Sequence, residues 1–559
     1  MSGEGKTTES LKVIPLGGLG EIGLNMMAME YGDSIIVIDC GLMFPEDYML
    51  GIDIVIPDVS YLKANREKVK AFIITHGHED HTGALPFILR DVNAPIYATA
   101  LTLGLIEEKL AEFDLLKSTT FETVRPRDRV SIGPFDIEFI RVSHSIVDGC
   151  GLAIRTPVGT VVHTGDFKMD QTPVDGEVMD YARFSEYGEA GVLLFMSDST
   201  NVEKEGYTLS EREIGYNLEE IFRKCTGRII VASFSSNIHR IQQVIDSAAK
   251  FGRKVALNGK SMAANVRIAR ALGYLKAPDG LVIDLKEVDG IPHDKLVLLT
   301  TGSQGEPMSA LTRMAMDNHK QIKVVKGDTV ILSSKFIPGH EKAISTMMNH
   351  LYRRGAEVIY EKVSEVHVSG HASQEELKIM LNMVKPKYFL PVHGEYRHLV
   401  LHGKLARKVG IPEENVIVAE DGDVVELTAD GGLVRGNKVE SGRVFVDGKG
   451  VGDVGEMVLK DRGHLSQDGM VLAVVAINNS TGEIVYGPEI ITRGLVHEDE
   501  SPELIENAKA VILEAMNSIN TEAKTEQLEV NEEVRRALRR YFNKTLERRP
   551  VILPVIIEI

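Results

Sequence analysis

The sequence predicts an α/β fold, with sheets stacked in layers and a polar site along their rim, and three observations carry this. First, short apolar runs recur, and each ends in His or Asp: SIIVID (34–39), AFIIT leading into HGHEDH (71–81), IEFIRVSHS (137–145), TVVHTGDFK (160–168) and VLLFMSDST (192–200). Second, from about residue 205 helices alternate with strands, the pattern of a parallel sheet. Third, the histidine-rich style returns at 367–393 (HVSGHAS, YFLPVHGE), as expected of a module that is interrupted and then resumed.

Taken in order, LKVIPL (11–16) and SIIVID are strands separated by glycine-rich turns. Gly18-Leu19-Gly20-Glu21-Ile22-Gly23 matches the spacing of a dinucleotide-binding turn, with Asp39 roughly 20 residues on. The stretch 24–33 is too short for a crossover helix, however, so a hairpin is predicted there, with the glycines making tight turns near a site. Residues 211–222 and 240–251 have helical spacing, and RIIVASF (228–234), KLVLLTTG (295–302) and DTVILSSK (328–335) read as strands. Further on, MVLAVVAIN and EIVYGPEIIT flank an Asn-Asn-Ser-Thr-Gly turn and read as a hairpin. Ser501-Pro502-Glu503 is a helix start, with Ser501 as the cap. A helix carrying Arg535, Arg536, Arg539, Arg540 and Lys544 follows, read as a solvated face, and VILPVIIEI closes the chain as a strand. The predicted organisation is a layered module over 10–204, an α/β insertion over 205–355, the rest of the module over 356–434, a linker over 435–460 and a small α/β domain over 461–559 that serves assembly.

Composition bounds the function. A chain of 559 residues with 43% hydrophobic and 26% charged residues is ordinary globular material for several domains. No apolar run approaches the length of a membrane span, and the polar start MSGEGKTTES has no leader-like apolar stretch. Three scattered cysteines without a CxxC pair fit a reducing, cytoplasmic compartment. The net charge of -18 argues against a general nucleic-acid binder, though not against an enzyme that focuses charge in a cleft.

The strongest chemical signal is His76-Gly77-His78-Glu79-Asp80-His81, directly after a buried strand. Imidazole and carboxylate together suit Zn²⁺ or Mn²⁺. On a loop, His76 and His78 can serve one ion while Asp80 and His81 serve a second. Two ions need more ligands than one cluster supplies, and His144 and Asp166 sit just past later strands. His293, His319, His340, His350, His398 and His402 read as surface or packing residues.

HGHEDH, then His144, then Asp166 in HTGD, preceded by Asp39 at a strand end, resembles the motif series of the metallo-β-lactamase superfamily. That resemblance implies an αββα sandwich with a dinuclear site. It assigns His76, His78 and His144 to one metal, Asp80 and His81 to the other, Asp166 as the bridge and Asp39 as a support. Asp198 in SDST, His371 in SGHAS and His393 in PVHGE resemble the later motifs of the β-CASP nucleases, which carry an α/β insertion before the last two. By that resemblance His393 completes the second metal site, and His371, oriented by Asp198, stands near the leaving group.

GGLGEIG (17–23), FPED (44–47), IVIPD (54–58), TGSQGEP (301–307) and the C-terminal region are similar to the bacterial ribonuclease J family over essentially the whole chain. The family implies 5′-to-3′ exonuclease action on RNA bearing a 5′-monophosphate, endonuclease action as well, two divalent ions (Zn²⁺ or Mn²⁺), a role in RNA processing and decay, a homodimer or homotetramer, and other RNA-decay proteins as partners. For the terminal phosphate, the expected donors are Ser233, Ser235, Ser236, His239 and Arg240 at a helix start, and Ser369, Gly370 and Ser373 around His371. Gly302-Ser303-Gln304-Gly305-Glu306 and Ser333-Ser334-Lys335 are weaker candidates, and ordinary helix capping is the competing reading of all these serines. Competing functions are a DNA-directed or dual nuclease of the same group, a small-molecule metallo-hydrolase, and an RNA-binding scaffold with a degenerate site. The large insertion counts against the second and the full set of ligand types against the third.

Overall fold

β-Branched and aliphatic runs, buried on both faces, build two stacked sheets. In the first sheet the strand order is Leu433–Arg435, Val425–Leu427, Leu11–Gly17, Met26–Tyr31, Ser34–Ile38, Val69–Ile73, Ile96–Thr99, Phe121–Val124. In the second it is Tyr388–Val392, Leu194–Asp198, Thr160–His163, Cys150–Arg155, Phe135–Arg141, Arg129–Ile132. The computed structural model describes residues 10–306, 308–336, 340–448, 450–478, 481, 483–496, 501–519 and 527–559. The chain divides into two units, residues 1–44 with 54–444, and residues 45–53 with 445–559.

Side-chain alternation along the strands sets the layers. Ile137, Leu152, Val161, Met196 and Leu390 of the second sheet face Val13, Met27, Ile36 and Ile73 of the first, and all are buried. Their neighbours Ile140, Ala153, Val162, Phe195 and Phe389 point the other way. They pack under the helices Tyr181–Ala190, Gln374–Val384 and Tyr396–Lys408 through Phe184, Met380 and Leu405. The architecture is thus the expected αββα sandwich.

The first glycine-rich turn is not a nucleotide-binding crossover. Met26–Tyr31 runs antiparallel to both Leu11–Gly17 and Ser34–Ile38, and Leu19–Gly20 pairs with Gly394–Glu395 beside His393. The insertion carries its own all-parallel sheet, ordered Val282–Ile283, Lys254–Asn258, Leu296–Thr300, Ile229–Ala232, Thr329–Leu332, Glu357–Ile359, the last strand lying just past the expected boundary at 355. The chain then returns to complete both layers. Tyr388–Val392 pairs in parallel with Leu194–Asp198, placing Val392 opposite Asp198, and Val425–Leu427 pairs with Leu11–Val13.

In the second unit, Ile484–Arg493, Met470–Ile477 and Val551–Glu558 form a sheet with the central strand antiparallel to one neighbour and parallel to the other. Helices Pro502–Ser518 and Gln527–Leu546 cover one face through Ile512, Val534, Leu538 and Phe542. The hairpin strands are as expected, while the Asn479-Ser480 and Gly482 part of its turn lies outside the described residues. Ser501 precedes the helix as expected but makes no side-chain capping bond. The stretch anticipated as a linker over 435–460 contains the strand Arg443–Asp447 and the start of the helix Glu456–Asp468. No helix among the described residues is long and apolar enough to cross a membrane.

Leu390 sits fully buried between the two sheets on the strand that leads to His393. Leu390→Ala is expected to cost about 2–5 kcal/mol, read as a lowered urea midpoint with the slope retained. An unchanged midpoint would mean that this returning strand is not part of the core.

Candidate metal centre and active site

Six strands deliver the candidate side chains to one edge. Asp39 follows Ser34–Ile38, His76 follows Val69–Ile73, His144 follows Phe135–Arg141, Asp166 follows Thr160–His163, Asp198 ends Leu194–Asp198 and His393 follows Tyr388–Val392. His78 precedes a single helical turn, Glu79–Thr82, which projects Asp80 and His81 back toward the sheets.

Among the described residues the ligand-type atoms fall into three groups, of which the third, Asp166, Asp198, His371 and His393, overlaps the second. In the first, His78 Nδ1 lies 3.1 Å from His76 Nε2 and 3.2 Å from His144 Nε2. In the second, Asp166 Oδ2 lies 3.3 Å from His81 Nε2, Asp166 Oδ1 lies 3.0 Å from His393 Nδ1, and Asp80 Oδ2 lies 3.4 Å from His393 Nε2. Asp166 Oδ2 is also 3.7 Å from His76 Nε2 and 3.8 Å from His144 Nε2, so this carboxylate faces both groups. Within each group all ligand-type atoms lie within 4.8 Å of one another.

A further layer orients these rings. Asp39 accepts from His81 Nδ1 at 2.8 Å and from the Thr75 amide at 2.8 Å, leaving His81 Nε2 turned to Asp166. His144 Nδ1 donates to the Gly370 carbonyl at 2.7 Å, which leaves its Nε2 for the centre. Asn25 Nδ2 donates to the Asp80 carbonyl and lies 3.1 Å from His81 Nε2. Thr200 Oγ1 lies 3.1 Å from His393 Nδ1.

Burial and charge set the protonation. Desolvation drives His76 and His144 well below the usual imidazole range and His78 down to about 4, so all three are neutral, the form that binds metal. Burial opposes protonation of His81 and His393 as well, but the carboxylates together outweigh it, Asp166 with Asp39 and Asp80 at His81 and Asp166 with Asp198 and Asp80 at His393, and both are raised well above that range. The carboxyl of Asp166, which burial alone would raise, is held well below its ordinary value by His393 and His81. The donor set fits divalent cations: neutral imidazoles converge on one side, a carboxylate facing both groups lies between, and among the described residues the buried His393 Nε2 makes no hydrogen bond, with Asp80 Oδ2 3.4 Å away.

His371 stands beside these groups. Its Nδ1 donates to Asp198 Oδ2 at 2.8 Å, and Asp198 is itself held by the Thr200 amide at 2.9 Å. Burial disfavours the charged imidazole, but Asp198 and Asp166 together outweigh burial and raise its pKa. His371 is the more open of the pair, its side chain 20% exposed against 1% for Asp198.

The anticipated phosphate donors are only partly brought here. Arg240 is a correction: it is fully buried, ion-paired with Glu211 and bonded to Gln243 Oε1, Ser333 Oγ and the Val366 carbonyl, so its guanidinium ties the insertion together and cannot meet a ligand. His239 Nε2 lies 3.1 Å from Asp175, and Asn237 caps the helix Ile238–Lys250 by accepting from the Arg240 amide. Ser233 is buried, its Oγ without a partner among the described residues, while Ser235 and Ser236 are half-buried. Ser373 is fully buried at the start of Gln374–Val384, its Oγ 2.9 Å from Thr208 Oγ1 and its amide bonded to Glu376, as capping would have it. Ser369 and Gly370 are at the centre, next to His371 and His144. Sequence reasoning missed Asn25, Thr200, Asn201 and the buried His163; each lies one to three residues from a motif residue or its glycine-rich turn, and that proximity was the available signal. His402, expected as packing, is buried with Nδ1 3.0 Å from Ser199 Oγ.

Comparison with known families agrees with this geometry. Residues 19–205 match the metallo-beta-lactamase superfamily, 226–351 the ribonuclease J beta-CASP domain, 355–419 the Zn-dependent metallo-hydrolase RNA specificity domain, and 457–559 the ribonuclease J C-terminal domain. The chain is 43% identical to ribonuclease J 1 of Streptococcus pyogenes over 98% of its length and 97% of that protein's. It is 42% identical to ribonuclease J2 of Bacillus subtilis over 99% of its length and 100% of that protein's. A crystal structure of a protein of unknown function from Enterococcus faecalis, 18% identical, shares the fold over 75% of this chain and all of its own, with a TM-score of 0.54. Full-length likeness at this level, together with a His/Asp cluster able to hold metal, shows that the chain belongs to the ribonuclease J family of metal-dependent ribonucleases.

Proposed function

We propose that the chain is a two-metal 5′-to-3′ exoribonuclease acting on RNA with a 5′-monophosphate, with endonuclease action at the same site. The observation that carries this is the His371–Asp198 pair, set beside two ligand groups that Asp166 faces. His76, His78 and His144 would hold one divalent ion, Asp80, His81 and His393 a second, and Asp166 would serve both. Either Zn²⁺ or Mn²⁺ suits this mixed donor set. When bound, such ions supply an activated water at neutral pH and offset phosphate charge.

The chain's own groups do the rest. Asp39 fixes the tautomer of His81, and the Gly370 carbonyl fixes that of His144. Breaking the P–O3′ bond leaves an oxyanion that needs a proton. His371, with Nδ1–H committed to Asp198 and its pKa raised, presents Nε2 to give that proton. Asp198 keeps the imidazole oriented and stabilises its charged form. Family membership also supports a homodimer or homotetramer, assembly with other RNA-decay proteins and a cytoplasmic setting.

His371→Ala is expected to lose on the order of 10²- to 10⁴-fold in turnover while bound metal, measured by elemental analysis, is unchanged. Loss of metal along with activity would sink the proton-donor role. The overall reading is checked with 5′-labelled RNA carrying a monophosphate or triphosphate, and matching DNA, in Mn²⁺, Zn²⁺ or chelator. Mononucleotide release from the 5′ end of monophosphate RNA, abolished by chelator and restored by metal, is expected. Release from the 3′ end, an equal rate on DNA, or indifference to chelator would overturn it.

A further inference from the structure

The turn Ser369-Gly370-His371 is held by an asparagine from outside it. Asn201 Nδ2 donates to Ser369 Oγ at 2.9 Å and to the His371 carbonyl at 2.9 Å, spanning Gly370. The His371 carbonyl can only accept, so the amide nitrogen, not the amide oxygen, must face the turn. The His371 amide also donates to Ser369 Oγ, at 3.2 Å. A hydroxyl has two lone pairs and one hydrogen. Both lone pairs of Ser369 are therefore engaged, and among the described residues its hydrogen meets no acceptor. Ser369 is half-buried, whereas Asn201 is 7% exposed and lies behind it.

We infer that Asn201 is a positioning residue that fixes the Ser369 hydroxyl as a one-way hydrogen-bond donor to a phosphate oxygen at the RNA 5′ end. The inference rests on the nuclease reading above and deepens it. An ionised phosphate oxygen accepts and never donates, so it is the partner that such a hydroxyl selects. Asparagine is required for this polarity. An aspartate of the same shape can only accept, so it would draw the Ser369 hydrogen inward and leave the His371 carbonyl with Thr208 Oγ1 as its remaining donor.

The test compares wild type, Ser369→Ala, Asn201→Asp and the double variant on 5′-monophosphorylated and 5′-hydroxyl RNA of one sequence, with kcat and KM separated. Metal content and thermal midpoint are measured alongside. Ser369→Ala and Asn201→Asp are each expected to raise KM for the monophosphorylated RNA about tenfold or more, the worth of one charge-assisted hydrogen bond, with KM for the 5′-hydroxyl RNA unmoved. The double variant is expected to be no worse than either single one. Asn201→Ala, which removes the donor without adding charge, is expected to give a smaller shift of the same kind and serves if the aspartate variant does not fold. The inference is overturned if the two losses multiply, or if the Asn201 variants lower kcat equally on both RNAs with KM fixed, as a merely structural clamp would. An unchanged preference in Ser369→Ala overturns it too, by removing the phosphate from Ser369. Failure of the wild-type chain to release mononucleotides from either RNA marks instead the failure of the nuclease reading itself.

Discussion

Asp166 carries its negative charge where it is 3% exposed to water, and the arrangement around it follows from that burden. An isolated buried carboxylate costs several kcal/mol, so it persists only among partners. Five imidazoles face it, at 3.0 Å (His393), 3.3 Å (His81), 3.7 Å (His76), 3.8 Å (His144) and 3.9 Å (His371). They come from chain segments hundreds of residues apart and meet only because the strands of two sheets end at one edge. The histidines divide by their surroundings. Burial outweighs the carboxylates at His76, His78 and His144 and keeps them neutral, whereas His81 and His393, closest to Asp166, are drawn toward protonation. A divalent cation would relieve Asp166 as protons do, so metal binding and proton release are linked at this centre.

The same constraint explains why the insertion must return where it left. Asp198 and His393 stand at the ends of paired parallel strands, yet nearly the whole insertion lies between them in the chain. The returning segment also supplies Gly370, whose carbonyl sets the ring of His144. A Cβ at Gly370 would lie 2.6 Å from that ring, so only glycine lets the backbone approach closely enough. A single turn thus carries His371 and orients the ring of His144. Displacing that turn disturbs both.

Much of this was legible in the sequence because strand ends and their polar residues are local features. Apolar runs ending in His or Asp gave the rim, and the change of rhythm near 205 and its reversal before 367 gave the insertion. The hairpin after the glycine-rich turn followed from its short length alone. What could not be read was the fate of long polar side chains. Arg240 sits in a serine-rich helix start that looks built for an anion, but Glu211 and the Val366 carbonyl, from distant segments, claim its guanidinium. Ser373 likewise caps a helix, an outcome that spacing alone leaves open beside phosphate binding. Asn201 escaped notice for the reverse reason: its importance lies in which atoms its amide meets across the fold, at Ser369 and His371.

Net charge was the least informative quantity, for a reason that bears on how an acidic chain handles a polyanion. A total of -18 repels RNA at a distance, yet it counts carboxylates that lie within the centre and arginines that never face solvent. Arg228 is buried against Asp328 and Arg240 against Glu211, so neither contributes to a surface potential. Asp80 and Asp166 belong to the ligand groups, where two divalent ions would more than reverse their charge. Recognition of phosphate at such a site needs no basic patch. Under the proposed reading, bound cations would supply the positive charge, and neutral donors with fixed polarity, such as the Ser369 hydroxyl with its lone pairs already taken, would supply the direction.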